Sequence, residues 1–293
     1  MHKLSTLIQN NEKEINEGFK LGKNAVKTNH QYSVIPTDKK ELNEILKERL
    51  AKDKDADLND IDVSNITDMS NIFKWLDPHN INISDWDVSR ATNMNHMFFG
   101  CKNMNFESLE NWDVSNVEDM SYMFTGTNIT GKEIENWDVS NVENMSSMFE
   151  YCTNFNCDLS KWNVSKVKYA TTMFSDCNNF TGQSLEKWNI KSVTLARGMF
   201  RDCYKFNIDV SAWDVSNITD FSEMFKSCSL FEGIGLDKWK LDSAKRIDSM
   251  FYDCHKLSVK LNRWKITSLV SKNRYVFKDC ENMKGKIPLW FYK

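Results

Sequence analysis

The chain is poor in the residues from which phosphate loops and metal centres are usually built. Only ten of its 293 residues are glycine, and no Gly-rich loop able to cradle a phosphate occurs. The five histidines, His2, His30, His79, His96 and His255, are scattered, so neither zinc-ligand spacing nor a nucleophile–base pairing can be read from them. No apolar run approaches the roughly 18 residues that span a bilayer. The opening stretch "MHKLSTLIQNNEKEINEG" has no apolar h-region and no small-residue cleavage site, and no lipid-attachment signal follows. As written, the chain reads as cytoplasmic. No column of residues supplies a nucleophile, a base and an oxyanion donor together. The expectation is a protein without a cofactor and without catalysis.

Hydrophobic residues make up 41% and aromatics 12%, enough for a continuous core and too many for a disordered chain. The aromatics are periodic. Trp86, Trp112, Trp137, Trp162, Trp188, Trp213, Trp239, Trp264 and Trp290 recur every 25 or 26 residues, and Ile61 holds the same slot one unit earlier. Of ten tryptophans only Trp75 is out of this register. Twelve residues after each marker comes Phe73, Phe98, Phe124, Phe149, Phe174, Phe200, Phe225 or Phe251, and Phe277 comes after thirteen. Methionine precedes the phenylalanine in seven units. Cysteine follows three residues after it in seven, Cys101, Cys152, Cys177, Cys203, Cys228, Cys254 and Cys280, with Leu76 and Thr127 the exceptions. Such self-similarity marks a repeat architecture, in which each unit buries its rings only against its neighbours. Each buried ring is worth at most about 4–6 kcal/mol of transfer energy. The tryptophan and phenylalanine columns are therefore expected to form the core.

Within a unit, "WDV" alternates apolar and polar residues and predicts a short half-buried strand. In "DMSYMF", Met120, Met123 and Phe124 fall at i, i+3 and i+4 and predict a helical turn. The intervening "SN" is turn chemistry. The expected fold class is thus an α/β repeat solenoid over residues 55–293, with a C-terminal cap at 285–293. Residues 1–54 form an N-terminal cap: a tail or helix over 1–28, a strand at "YSVI", and a helix in "PTDKKELNEILKERL" capped by Asp38 and Glu41.

The motif W-D-V-S-N-V-x-D-M-S-x-M-F-x-x-C-x-x-F-N, kept in register over about residues 55–290, resembles the BspA-like leucine-rich repeat family in its DUF285 subtype. That resemblance implies a right-handed leucine-rich-repeat-type coil with a parallel sheet on one face. It also implies a bacterial cell-surface protein that binds host or neighbouring-cell proteins, as in adhesion.

Seven cysteines in one column of strands about 4.8 Å apart, with parallel side-chain vectors, are poorly placed for disulfides and read as small reduced core residues. Cys157 lies outside the column. Asp53, Asp55 and Asp57 have the spacing of a calcium loop, but Leu58 replaces its glycine and Ser64 its terminal glutamate. A solvated acidic approach to the first coil is the better reading.

The net charge of −3 conceals a sorted distribution. Residues 53–161 hold 6 basic and 20 acidic groups, a net of −14, whereas residues 238–293 hold 14 basic and 5 acidic, a net of +9. The residue after each marker runs Asp62, Asp87, Asp113, Asp138, Asn163, Asn189, Asp214, Lys240, Lys265. The residue before it runs Asp60, Asp85, Asn111, Asn136, Lys161, Lys187, Ala212, Lys238, Arg263. A third column, seven residues on, passes from Asp68 and Asp119 through Tyr169 and Leu195 to Arg246. Solubility alone does not require charges sorted by position. The candidate partner-binding residues are therefore Asp62, Asp87, Asp113, Asp138, Asp214, Lys238, Lys240, Arg263 and Lys265, facing a protein partner. Competition by the acidic half for a basic groove, as an intracellular inhibitor or nucleic-acid mimic, is the alternative. Direct nucleic-acid binding is disfavoured, since the basic end lacks a stacking platform. The opposed charges would also allow salt-sensitive head-to-tail self-association.

Overall fold

Asp38, followed by the periodic apolar run Leu42, Leu46 and Leu50, starts the first element. In the computed structural model, which describes residues 32–264, 266, 275–287 and 291, helix α1 spans Lys39–Lys52. The Asp38 carboxylate accepts from the Glu41 N–H at 2.9 Å, and the Glu41 carboxylate in turn accepts from the N–H and hydroxyl of Thr37. Leu42, Leu46 and Leu50 are buried. Lys39 and Arg49 tie α1 to the first coil through Asp68 (2.9 Å) and Asp60 (2.5 Å). The chain divides after Ser33; the first unit contributes only Tyr32 and Ser33 to the described residues, so the expectation for residues 1–28 lies outside them.

After α1 the chain winds in coils of 25–26 residues, each built mainly from turns. The first turn of a coil ends at tryptophan: Trp112 N–H donates to Leu109 C=O at 3.1 Å. Next, Asp113 accepts from the Ser115 N–H, and Val117 N–H donates to Val114 C=O at 2.9 Å. The long side of the coil follows. Here the N–H groups of Met94, His96, Phe98 and Gly100 donate to the carbonyls of Asp119, Ser121, Met123 and Thr125 in the next coil, all at 2.8–2.9 Å. The alternate N–H groups of Met97, Phe99 and Cys101 close turns on Met94, His96 and Phe98 of their own coil. His96 and Gly100 have positive φ of 56° and 76°, and the pattern recurs at Tyr122 and Gly126, Ser147 and Tyr151, and Thr172 and Asp176.

This geometry overturns the expected α/β class with a parallel sheet and helical turns. No strand forms among the described residues; parallel pairing is reduced to isolated bridges, Val34 with Ile61, Asp57 with Asn82, and a file linking Asp68, Asn93, Asp119, Asn144, Tyr169, Leu195, Asp220 and Arg246 in succession. This file lies seven residues beyond the tryptophan of "WDV", and "WDV" is itself only the link between two turns. The methionine–phenylalanine segment is not helical either. A left-handed residue at every fourth position interrupts both the helical and the extended conformation, leaving a ribbon of overlapping turns. Apart from α1, helix among the described residues is confined to five three-residue 3-10 turns, such as Glu107–Leu109 and Leu236–Lys238.

The rings nevertheless stack in files. Phe73, Phe98, Phe124, Phe149, Phe174, Phe200, Phe225, Phe251 and Phe277 follow one another at centroid distances of 5.4–5.8 Å, nearly parallel. Trp86, Trp112, Trp137, Trp162, Trp188, Trp213, Trp239 and Trp264 are buried. Each indole Nε1 donates to a carbonyl of the preceding coil, as Trp137 does to Leu109 at 3.1 Å and Trp162 to Ile134 at 3.1 Å. Trp290 is outside the described residues, as is most of the 285–293 cap.

Candidate functional site

The turn after each tryptophan positions the first predicted column. Asp62, Asp87, Asp113, Asp138 and Asp214 each accept, at 2.9–3.2 Å, the N–H of the residue two positions on. Asn163 and Asn189 do the same. The column is acidic or amidic for a local reason: the turn needs a short side chain carrying an acceptor. The Ser216 hydroxyl and backbone, with help from Lys191 and Lys240, hold the Asp214 carboxyl below its usual range. Lys238 and Lys240 flank Trp239 and are exposed, as is Arg263. Lys265 lies outside the described residues. The structure therefore aligns the acidic residues coil upon coil and places the described basic residues in the same register later in the stack.

The bridge column uses the same device in part. Asp68, Asn93, Asp119, Asn144 and Asp220 accept from the N–H two residues on. Tyr169 and Leu195 break the series with exposed apolar side chains, 43% and 38% accessible. Farther along this face, the Arg201 guanidinium stands 3.3–3.6 Å from Asp202, Asp176 and Glu223. Burial and the neighbouring Asp176 push the Asp202 carboxyl up. For Glu223, burial acts in the same direction but Arg197, at 2.9 Å, together with Lys226 and Arg201, outweighs it and the carboxyl is lowered. Asp53, Asp55 and Asp57 accept from separate N–H groups, those of Asp55, Asn80 and Asn59.

One feature of this face, marked in the sequence by Trp75, lies outside the charged columns. The second left-handed position runs Trp75, Gly100, Gly126, Tyr151 in consecutive coils. The Trp75 ring lies over Gly100, in the space a Cβ would take, while nothing lies within 4 Å of the same point on Gly126. A groove of about 680 Å³ opens there, with Phe99 and Tyr122 along it and Tyr151 at its far side. Phe99 meets Trp75 edge-on at 4.8 Å, and His96 stacks on Tyr122 at 4.4 Å. Trp75 is 63% and Tyr151 53% exposed. The out-of-register tryptophan and the adjacent glycines were the available signals, but that they share one column follows only from the coil spacing.

A stack of near-identical coils displaying sorted side chains on its outer turns defines a repeat protein of the DUF285 class. The profile of the family described as "Mycoplasma protein of unknown function, DUF285" matches residues 40–129, 93–194 and 173–290. The chain belongs to that family. Neither a curated protein nor a solved structure matches it significantly. No helix among the described residues is long and apolar enough to cross a membrane.

Proposed function

We propose that the chain is a non-catalytic binding scaffold that recognises a protein partner through its outer columns, acidic in the early coils and basic in the late ones. The observation that carries this is the register of Asp62, Asp87, Asp113 and Asp138, which repeat one carboxylate per coil on the outer turns. Such a surface steers and orients a partner of opposite charge. The resemblance of the repeat to BspA-like surface proteins supports adhesion or host contact as the setting.

The turn geometry dictates the variant that tests it. Lysine at these positions would remove both the charge and the turn acceptor, whereas asparagine removes only the charge and already occurs at Asn163 and Asn189. The triple variant Asp87→Asn, Asp113→Asn, Asp138→Asn is expected to keep the melting temperature and lose capture of partner from host-cell extracts, with the loss greatest at low salt. Undiminished capture by this variant would remove the acidic column from any role in recognition.

A further inference from the structure

We infer that the groove between Trp75 and Tyr151 is a binding site for a neutral oligosaccharide. This rests on reading the chain as a binding protein and assigns it a second, chemically distinct ligand.

The groove offers exposed aromatic faces. Trp75, Tyr122 and Tyr151 project from the left-handed positions of three different coils, and all three are exposed on a rigid ladder of backbone hydrogen bonds. A flat ring held this way loses little entropy on binding, and its electron-rich face attracts the polarised C–H groups of a pyranose. The gap over Gly126 admits such a ring because no Cβ occupies it. Trp75 and Tyr151 are three coil steps apart, roughly 14 Å at a strand-like spacing of ~4.8 Å. With a volume of about 680 Å³, the groove suits a short chain of sugars better than a single one.

The rim supplies hydrogen-bonding groups suited to hydroxyls. Asn128 and Asn154 line the groove. At the slot of Asn154, Asn103, Asn179 and Asn282 each direct their amide to the preceding coil. Asn154 makes no such bond and is placed to meet a ligand.

Other ligand classes fit less well. Nucleic-acid bases also stack on aromatic rings, but that mode needs a cationic groove, and the charged residues lining this one are a single lysine and a single glutamate, Lys102 and Glu150. A lining with no excess of positive charge likewise offers little to sulfated or sialylated glycans. A peptide adding as a strand needs unpaired backbone groups along an edge. Here the N–H groups of Gly100, Gly126 and Tyr151 already donate to Thr125, Glu150 and Ser175 at 2.8–2.9 Å.

The full chain should be titrated calorimetrically with chitohexaose, maltohexaose, cellohexaose and mannohexaose, and with a heparin hexasaccharide, oligouridine and an alternating apolar peptide. At least one neutral hexasaccharide is expected to bind saturably and to protect Trp75 from iodide quenching, while the other three probes do not. The variants Trp75→Ala and Tyr151→Ala should each weaken that binding about tenfold or more, and Tyr204→Ala, an exposed tyrosine elsewhere, should not. If Trp75→Ala fails to fold, Tyr151→Ala and Asn154→Ala carry the test. Absence of binding by all four neutral sugars, preference for any of the other three probes, or indifference to the groove variants would overturn the assignment. The acidic-column triple variant separates the two proposals: it should retain sugar binding while losing protein capture. Loss of protein capture in Trp75→Ala would assign the groove to the protein partner instead.

Discussion

The Leu109 carbonyl accepts two hydrogen bonds, from Trp112 N–H in its own turn and from Trp137 Nε1 in the next coil, both at 3.1 Å. The Phe149 carbonyl does likewise for Cys152 N–H at 2.9 Å and the Cys177 thiol at 3.0 Å. Each repeat therefore closes its own turn and anchors its successor through one atom, using both lone pairs. This accounts for tryptophan and cysteine at these slots, since each joins apolar bulk to one donor. Burial pushes the thiols up, Cys152 and Cys280 to about 11 and Cys101 to about 12. Cys157, packed over Gly131, is raised by burial and then by Glu135, Glu133 and Asp158. Because the thiolate is the reactive form, iodoacetamide at pH 8 is expected to leave the seven column cysteines of the native chain unmodified for hours. All eight should react at once in guanidinium, and intact-mass spectrometry would count the adducts. Rapid native labelling of any column cysteine would be incompatible with the thiol–carbonyl file.

At the scale of the element, the ribbon of turns holds residues in a conformation that their side chains disfavour. The first left-handed slot contains Asn71, His96, Tyr122, Ser147, Thr172, Gly198, Glu223, Ser249 and Tyr275, only one of them glycine. For an L-residue this region costs roughly 1–2 kcal/mol, and here it is imposed by the hydrogen bonds to the coils on either side. Ser249→Gly should therefore stabilise the protein by up to about 1 kcal/mol, reduced by the greater freedom glycine gives the unfolded chain. Ser249→Val, with a branched Cβ at φ 53°, should destabilise it by more than about 1 kcal/mol. Chemical denaturation of the two variants gives the difference directly, and a valine variant as stable as the glycine one would contradict the left-handed assignment. These slots also show why the fold was only half legible. Burial was readable because Met94, Met97 and Phe98 must face inward in any coil. The backbone path was not, because i, i+3, i+4 spacing also arises from overlapping turns. Its distinguishing mark, glycine at φ > 0, survives only at Gly198 in that slot. The charged column was legible as a pattern, but its local cause, the bond from Ser115 N–H to Asp113, depends on a turn that "WDV" read as a strand conceals. The groove depended on knowing that Trp75, Gly100, Gly126 and Tyr151 share a position.

Across the whole stack, the hydrogen bonds and ring contacts that join coils link one coil to the next. Met94 reaches Asp119, Met120 reaches Asn144 and Met145 reaches Tyr169, and Phe149 stacks on Phe124 and Phe174. Stability is then close to a sum of coil terms and neighbour terms. A lesion in one coil should loosen its neighbours first and propagate only as far as the remaining interfaces are weaker than the loss. Phe149→Ala removes the ring that stacks on Phe124, Phe155 and Phe174 and meets Trp162 at an angle, at a cost of about 3–5 kcal/mol. Hydrogen exchange measured by mass spectrometry should show faster exchange for the amides of Phe124, Phe149 and Tyr151, which donate across the affected interfaces. The amides of Phe200, Phe225 and Phe251, in later coils, should keep protection close to that of the unaltered chain. If all six lost protection equally, unfolding would be a single global event and the neighbour-by-neighbour account would fail. Retained late coils would instead mean that the acidic and basic ends of the stack can be altered independently, so that the contribution of each to recognition can be measured on its own.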